Sequence, residues 1–168
     1  DEHQMKCILK ALADKRMLIL SPTASGKSLI IYVLIQFLMK MTTRKILLVV
    51  PTTTLVEQMY SDFKDYGKKT KWKVGTHCHR IYAGHEKDTT KRIVITTWQS
   101  IFRLKKKWFE QFGVLFGDEV HGFKAKSLTG ITTKMKECPY KYGLTGSLDE
   151  TLCHKLVLEG LFGPVYRA

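Results

Sequence analysis

Eight residues between two apolar segments have the composition of a phosphate-binding loop. The stretch S-P-T-A-S-G-K-S, residues 21–28, follows M-L-I-L and precedes a long apolar run. In such loops the backbone N–H groups at a helix start face the phosphates, a lysine reaches the β- and γ-phosphates, and the next hydroxyl coordinates Mg²⁺. Glycine before the lysine lets the backbone approach the anion closely. The sequence therefore predicts a nucleotide site formed by Thr23, Ala24, Ser25, Gly26, Lys27 and Ser28.

The loop departs from the strict pattern G-x-x-x-x-G-K-[ST] because Ser21 stands at the position of the first glycine. The alternative interpretation is a turn of small residues that only starts a helix. A predicted strand before the loop and a predicted helix after it favour nucleotide binding.

A second candidate is the stretch D-E-V-H, residues 118–121, which follows the apolar run V-L-F. An aspartate at a strand end beside a phosphate loop can hold Mg²⁺, and an adjacent glutamate can activate a water. The alternative is an acidic turn on a solvated surface. The predicted catalytic residues are Glu119, Lys27, Asp118 and His121, and the predicted metal ligands are Ser28 and Asp118.

Apolar strands alternate with helices along the chain. We predict helices over 4–13, 26–41, 54–66, part of 100–111 and 150–160, and strands over 17–20, 45–50, 80–82, 92–97, 114–116 and 141–144. Continuous apolar strands indicate a sheet with both faces covered. The predicted fold is α/β, a mostly parallel central sheet with helices on both faces.

Polar residues follow several of these strands, and ligands of parallel sheets bind at the carboxyl ends of strands. Threonines at such positions either donate to phosphates or simply cap turns. The residues concerned are Pro51, Thr52, Thr53, Thr97, Trp98, Thr145, Gly146 and Ser147. Trp72, within the basic segment 67–74, allows two interpretations: base stacking, or a half-buried ring among solvated lysines.

The composition indicates an anionic partner, with nucleic acid first among the candidates, because the net charge is +13. The apolar stretch 29–39 contains Gln36 and is too short to span a bilayer. Four scattered cysteines indicate reduced thiols. The triplet H-C-H at 77–79 raises a zinc hypothesis, but its spacing fits no common zinc site, and we predict no metal cluster.

Together these stretches resemble the superfamily 2 helicases and translocases over nearly the whole chain. P-T-A-S-G-K-S resembles motif I, although Ala24 stands where many helicases have a second glycine. D-E-V-H resembles motif II, and Thr145-Gly146-Ser147 resembles motif III, which couples the γ-phosphate to domain movement. P-T-T-T-L at 51–55 and I-T-T-W-Q-S at 95–100 resemble motifs that contact a nucleic-acid backbone, which adds Pro51, Thr52, Thr53, Thr97 and Trp98 as nucleic-acid residues. Gln4 resembles the glutamine that reads adenine.

Within the superfamily the likeness is greatest to phage UvsW-type recombination and repair helicases, through T-W-Q-S, W-F-E-Q-F-G and G-L-T-G-S-L. The resemblance implies a RecA-like P-loop domain over 1–168 that uses ATP and Mg²⁺, acts on single-stranded or branched DNA, and works inside the cell. Family members need a second RecA-like domain, and because the chain ends after motif III we expect it to be the first motor domain alone. Because the chain starts at Asp1 rather than Met, we expect it to be a fragment of a longer protein.

Other functions remain open at this stage. A restriction-type translocase subunit or an RNA helicase would carry the same motifs. A nucleotide-dependent binding or adaptor module without motor activity is a candidate from another class. Lys27, Asp118 and Glu119 argue against the adaptor, and the missing second domain argues for it.

Overall fold

A seven-stranded sheet forms the centre of the computed structural model, which describes residues 2–120, 125–146 and 158–168. The strands lie in the order β3-β4-β2-β5-β6-β1-β7, and every recorded pair is parallel. They comprise β1 (Arg16–Leu20), β2 (Lys45–Val50), β3 (Cys78–Ile81), β4 (Ile93–Thr97), β5 (Phe112–Gly117), β6 (Tyr140–Thr145) and β7 (Val165–Arg167). The predicted fold class is confirmed.

Helices cover both faces of this sheet. They comprise α1 (Glu2–Asp14), α2 (Ala24–Met41), α3 (Thr53–Gly67), α4 (Val74–His77), α5 (Trp98–Ile101), α6 (Lys106–Phe109) and α7 (Ala125–Thr133). Residues 158–162 are also helical. Buried residues of α1–α4 share one core with one face of the strands, and those of α5–α7 and 158–162 share a second core with the other face.

Strand β2 shows why the strands read as continuous apolar runs. Ile46, Leu48 and Val50 belong to the first core, whereas Leu47 and Val49 belong to the second. Successive side chains of a strand point to opposite faces, so a strand covered on both sides has no polar face.

Several predicted boundaries were wrong. The stretch 100–111 is partly helical, as predicted, and contains two short helices, α5 and α6, but α5 already begins at Trp98. The basic connection 67–74 ends in α4, and the last described helix runs past Gly160 to residue 162. The sequence indicated neither α7 nor β7.

The described cysteines are buried thiols. Cys7, Cys78 and Cys138 are free, and Cys153 lies outside the described residues. Burial raises the pKa of Cys7 to about 11 and that of Cys78 to about 12. These thiols therefore stay protonated near neutral pH and pack as small apolar groups.

Phe162 presses its ring against the middle of the sheet. Its side chain is fully buried, and a Cβ added at Gly143 would lie 2.8 Å from the ring. A Cβ at Gly160, in contrast, would meet nothing within 4 Å. Packing therefore requires a glycine at position 143 but not at position 160.

We therefore predict that Gly143→Ala lowers the free energy of unfolding by ~1–3 kcal/mol through overpacking. Gly160→Ala is the matched control and should leave stability unchanged or slightly raised, because alanine has the higher helix propensity. Urea denaturation of both variants measures the difference. Equal stability of the two would contradict the close packing of Phe162.

Candidate nucleotide-binding site

The loop after β1 is tied to the end of β6 and to the start of α2. The Ser21 N–H donates to the Thr145 carbonyl over 2.9 Å. Thr23 caps α2, and its hydroxyl accepts from the Gly26 N–H over 3.2 Å. A Cβ at Gly26 would lie 2.6 Å from that hydroxyl oxygen, so only glycine fits this conformation. Helix α2 begins at Ala24, two residues earlier than predicted, and includes Ser25.

Lys27 joins this loop to the end of β5. Its ammonium lies 3.4 Å from Asp118 Oδ1 and also contacts Glu119 Oε1. The side chains of Lys27 and Asp118 are each only 6% exposed, whereas that of Glu119 is 28% exposed. A buried ammonium needs such partners because its desolvation is unfavourable. The structure thus brings together three of the four predicted catalytic residues.

Glu119 has an unusual backbone for a non-glycine residue, with φ at 53°. Its N–H donates to Asp118 Oδ1 over 3.0 Å, and the Asp118 N–H donates to the Val49 carbonyl over 2.8 Å. These contacts hold the left-handed turn that directs the Glu119 carboxylate toward Lys27. Local strain of this kind is concentrated at functional sites. His121, the fourth predicted catalytic residue, lies outside the described residues.

The predicted Mg²⁺ ligands fit that ion by their chemistry. Ser28 supplies a hydroxyl and Asp118 a carboxylate, and Mg²⁺ takes oxygen ligands, often one or two from the protein with phosphates and waters completing the shell. Ser28 is almost fully buried, and its Oγ lies 2.7 Å from the hydroxyl of Tyr66 on α3. Sequence reasoning missed Tyr66, since 38 residues separate the two. Among the described residues, no group of three or more histidine, cysteine, aspartate or glutamate side chains could hold a metal by itself.

A groove of about 420 Å³ runs beside the loop. It is lined by Gln4, Ser21, Thr23, Gly26 and Arg167, among others. The Gln4 side-chain amide nitrogen lies 3.9 Å from the Cβ position at Gly26. Gln4, predicted to read adenine, therefore lies next to the loop. Arg167 was not predicted, because nothing in the sequence indicated that β7 pairs with β1.

The turn after β6 lies between the loop and Glu119. Thr145 is fully buried. A Cβ placed at Gly146 would lie 3.6 Å from the Ser21 carbonyl oxygen and 4.0 Å from Glu119 Oε1. These two residues of the predicted coupling turn adjoin the phosphate loop and the predicted catalytic base. Ser147, the third, lies outside the described residues.

The predicted nucleic-acid residues divide into two kinds. All five residues lie at the carboxyl ends of β2 and β4, two neighbouring strands in which Val50 pairs with Thr97. Thr52 and Thr53 are exposed, and the Thr52 hydroxyl caps α3 by accepting from the Leu55 N–H, while Pro51 is half-buried.

The other two face inward. Thr97 is buried and its hydroxyl lies 2.9 Å from that of Ser100. Trp98 packs on Phe102 and on the second core. Contact of either residue with nucleic acid stays a prediction.

A parallel sheet with a lysine-bearing loop after β1 and an aspartate–glutamate pair after β5 defines a RecA-like P-loop domain. The family described as type III restriction enzyme, res subunit (ResIII), matches residues 1–150. The chain belongs to this family. The resemblance to superfamily 2 helicases is thereby confirmed.

Two relatives are similar over nearly the whole chain. The ATP-dependent DNA helicase uvsW of Enterobacteria phage T4 is 33% identical over 171 residues, covering 98% of this chain and 33% of the relative. The DNA 3'-5' translocase XPB2 of Sulfurisphaera tokodaii is 29% identical over 173 residues, covering 99% of this chain and 35% of the relative. The chain thus spans about a third of these relatives.

The crystal structure of the UvsW helicase from bacteriophage T4 has the same fold. It matches with a TM-score of 0.87 and 32% identity, covering 99% of this chain and 59% of that one. Within the described part of the chain, no helix combines the length and the apolar character needed to cross a bilayer.

We predict that Lys27→Ala weakens nucleotide binding and that Glu119→Gln does not. Lys27→Ala removes the cation that would meet the phosphates and leaves Asp118 and Glu119 unneutralised, so ATP binding should weaken by ~10-fold or more. Glu119→Gln removes a carboxylate that competes with the ATP phosphates for Lys27, so ATP binding should be kept or tightened. Titration with a fluorescent ATP analogue measures both. Weakened binding by Glu119→Gln would contradict the competition.

Proposed function

We propose that residues 1–168 form the first motor domain of an ATP-dependent DNA helicase or translocase, most like the enzymes that remodel branched DNA in recombination and repair. The observation that carries this proposal is the contact of Lys27 with both Asp118 and Glu119 at the carboxyl edge of the sheet. Similarity to a phage DNA helicase over 98% of the chain supports the choice of DNA.

The contacts suggest how nucleotide binding would prepare the site. In the free domain the Lys27 ammonium is held by Glu119 and Asp118. Phosphates in the loop would draw Lys27 toward themselves, because the β- and γ-phosphates together carry more negative charge than the two carboxylates. Glu119, more exposed than Asp118, would then be released to accept a hydrogen bond from water.

Hydrolysis would follow by in-line displacement. The water would attack the γ-phosphorus while Glu119 orients it and receives its proton, and the bond from phosphorus to the β–γ bridging oxygen would break. Lys27 would stabilise the charge that develops on the phosphate oxygens. Mg²⁺, bound through Ser28 and Asp118, would neutralise further charge on the β- and γ-phosphates.

A second RecA-like domain would complete the motor. In related phosphoryl-transfer enzymes an arginine supplied from another segment contributes ~10³–10⁵ in rate. We therefore propose that the 1–168 domain alone binds nucleotide weakly and hydrolyses it slowly. The grip on the DNA strand would change through Thr52 and Thr53, which are exposed, and through the turn at Thr145 and Gly146.

A restriction-type translocase is the second candidate, because the matching family is described by a restriction subunit. Both candidates share the nucleotide chemistry and differ in the DNA that stimulates it.

The test is the ATPase rate of the longest product of this reading frame with no nucleic acid, single-stranded DNA, branched DNA, linear duplex DNA or RNA. We expect the greatest stimulation by branched DNA, and Glu119→Gln should abolish turnover while keeping ATP binding. Greater stimulation by linear duplex would favour the restriction-type translocase, and stimulation by RNA alone would favour an RNA helicase. Binding without stimulated turnover would favour an adaptor. Turnover by Glu119→Gln at the parent rate would exclude Glu119 as the base.

A further inference from the structure

A groove with a basic rim lies at the end of α3, and none of its lining residues lines the groove beside the phosphate loop. It has a volume of about 460 Å³ and is lined by Tyr60 and Trp72 together with Lys64, Lys68, Lys71 and Lys73. All four lysines are exposed. Among residues 64–73 the one acidic side chain is Asp65, which lies 3.2 Å from Lys68. Positive charge therefore dominates the rim.

The floor of this lysine groove is fixed by packing. The Trp72 ring stacks on His77 at 4.8 Å and meets the Tyr32 ring edge-on at 5.4 Å. A Cβ at Gly67 would lie 2.3 Å from the Trp72 carbonyl oxygen, so glycine is needed where the chain folds back. The lysines thus project from a preformed surface, and Trp72 serves mainly as its support.

The groove and the predicted strand contacts lie at opposite ends of one helix. Helix α3 is 15 residues long, begins after Thr52 and ends at Gly67. That length corresponds to about 22 Å at 1.5 Å per residue. A DNA molecule held at Thr52 and Thr53 would reach the groove with a different segment of its backbone.

We propose that the lysine groove binds the phosphodiester backbone of a second DNA segment, such as another arm of a branched substrate. The proposal rests on the proposed DNA motor function. Lysines contact phosphates as point charges without reading sequence, which suits a substrate defined by its shape. Charge complementarity favours DNA, since the chain has a net charge of +13.

The test compares two variants that remove the same charge. Lys68→Gln/Lys71→Gln/Lys73→Gln changes the groove, and Lys105→Gln/Lys106→Gln/Lys107→Gln changes an exposed lysine run elsewhere. The affinity of the full-length protein for branched DNA is measured against salt. Each lost phosphate contact lowers the slope of log K against log salt by ~0.9. We expect the groove variant to lose ~2 or more in slope, and the control to lose less.

Several outcomes would overturn the groove proposal. Equal slopes of the two variants would show that only net charge matters. An unchanged DNA affinity, combined with loss of binding to a poly-glutamate probe, would assign the groove to an acidic protein segment. The DNA-stimulated ATPase rate of the parent protein separates the two proposals. A parent without stimulation would contradict the DNA motor, whereas a stimulated parent whose groove variant keeps the parent's salt slope would contradict only the groove.

A separate observation concerns the predicted metal ligand on the phosphate loop. The Ser28 and Tyr66 hydroxyl oxygens lie 2.7 Å apart. The Tyr66 ring packs on the Tyr32 ring, with 5.3 Å between the two ring centroids. Tyr32 lies one helical turn after Ser28 on α2. When a serine oxygen coordinates a cation, its proton must point to another acceptor. The Tyr66 oxygen lies where it can accept that proton.

We infer that Tyr66 is a positioning residue that orients Ser28 toward Mg²⁺. Partners of this type fix the orientation of a metal ligand, and their loss lowers metal affinity by ~10–100-fold. Tyr66→Phe keeps the ring and removes only the hydroxyl. The inference rests on the proposed Mg-nucleotide site.

The readout is nucleotide affinity in Mg²⁺ divided by nucleotide affinity in EDTA. Tyr66→Phe should lower this ratio by ~10-fold and leave the EDTA value unchanged. Tyr32→Phe, which removes a hydroxyl from the same aromatic cluster, is the control and should keep the ratio. In a Ser28→Ala background Tyr66→Phe should have no further effect.

An unchanged or increased ratio in Tyr66→Phe would overturn the inference, and an increase would mean that Tyr66 holds Ser28 away from the metal. A parent protein that shows no effect of Mg²⁺ on nucleotide affinity would contradict the Mg-nucleotide site itself.

Discussion

The buried ammonium of Lys27 is the interaction on which the arrangement of this domain depends. A lysine on the first turn of α2 is stable at this depth only because Asp118 and Glu119 lie beside it. Those carboxylates follow β5 and the loop follows β1, and in this sheet one strand lies between the two. The order β5-β6-β1 supplies that strand, and β6 also binds the loop through the Thr145 carbonyl.

The two cores hold this edge of the sheet rigidly. Helix α2 packs on one face with α1 and α3, while the ring of Phe162 packs on the other face beneath Gly117 and Gly143. A Cβ at Gly143 would lie 2.8 Å from that ring and displace it, whereas a Cβ at Gly117 would lie 3.5 Å from the ring but only 2.8 Å from the Val120 side chain. The residues nearest the carboxylates are thus set by close packing, which leaves few alternative positions for Asp118.

Sequence reasoning located the loop, the aspartate–glutamate pair and most strands because each depends on local signals: small residues before a lysine, or a continuous apolar run. It missed α7 because A-K-S-L-T-G-I-T-T contains three threonines and a glycine, which have low helix propensity. It missed β7 because three residues form a strand only through pairing with β1. The contact of Tyr66 with Ser28 was not predicted for a similar reason, since it forms only when α2 and α3 pack together.

Helix α3 links three features that the sequence separates. Its first turn is capped by Thr52 at the predicted strand contact, its last turn places Tyr66 on Ser28, and its end forms one side of the lysine groove. A rigid helix that shifts at one end must shift at the other, so any movement of Ser28 that displaced Tyr66 would also move Thr52 and the lysines. The same helix that fixes the geometry of the loop is therefore suited to connect it with the surfaces where a nucleic acid would lie.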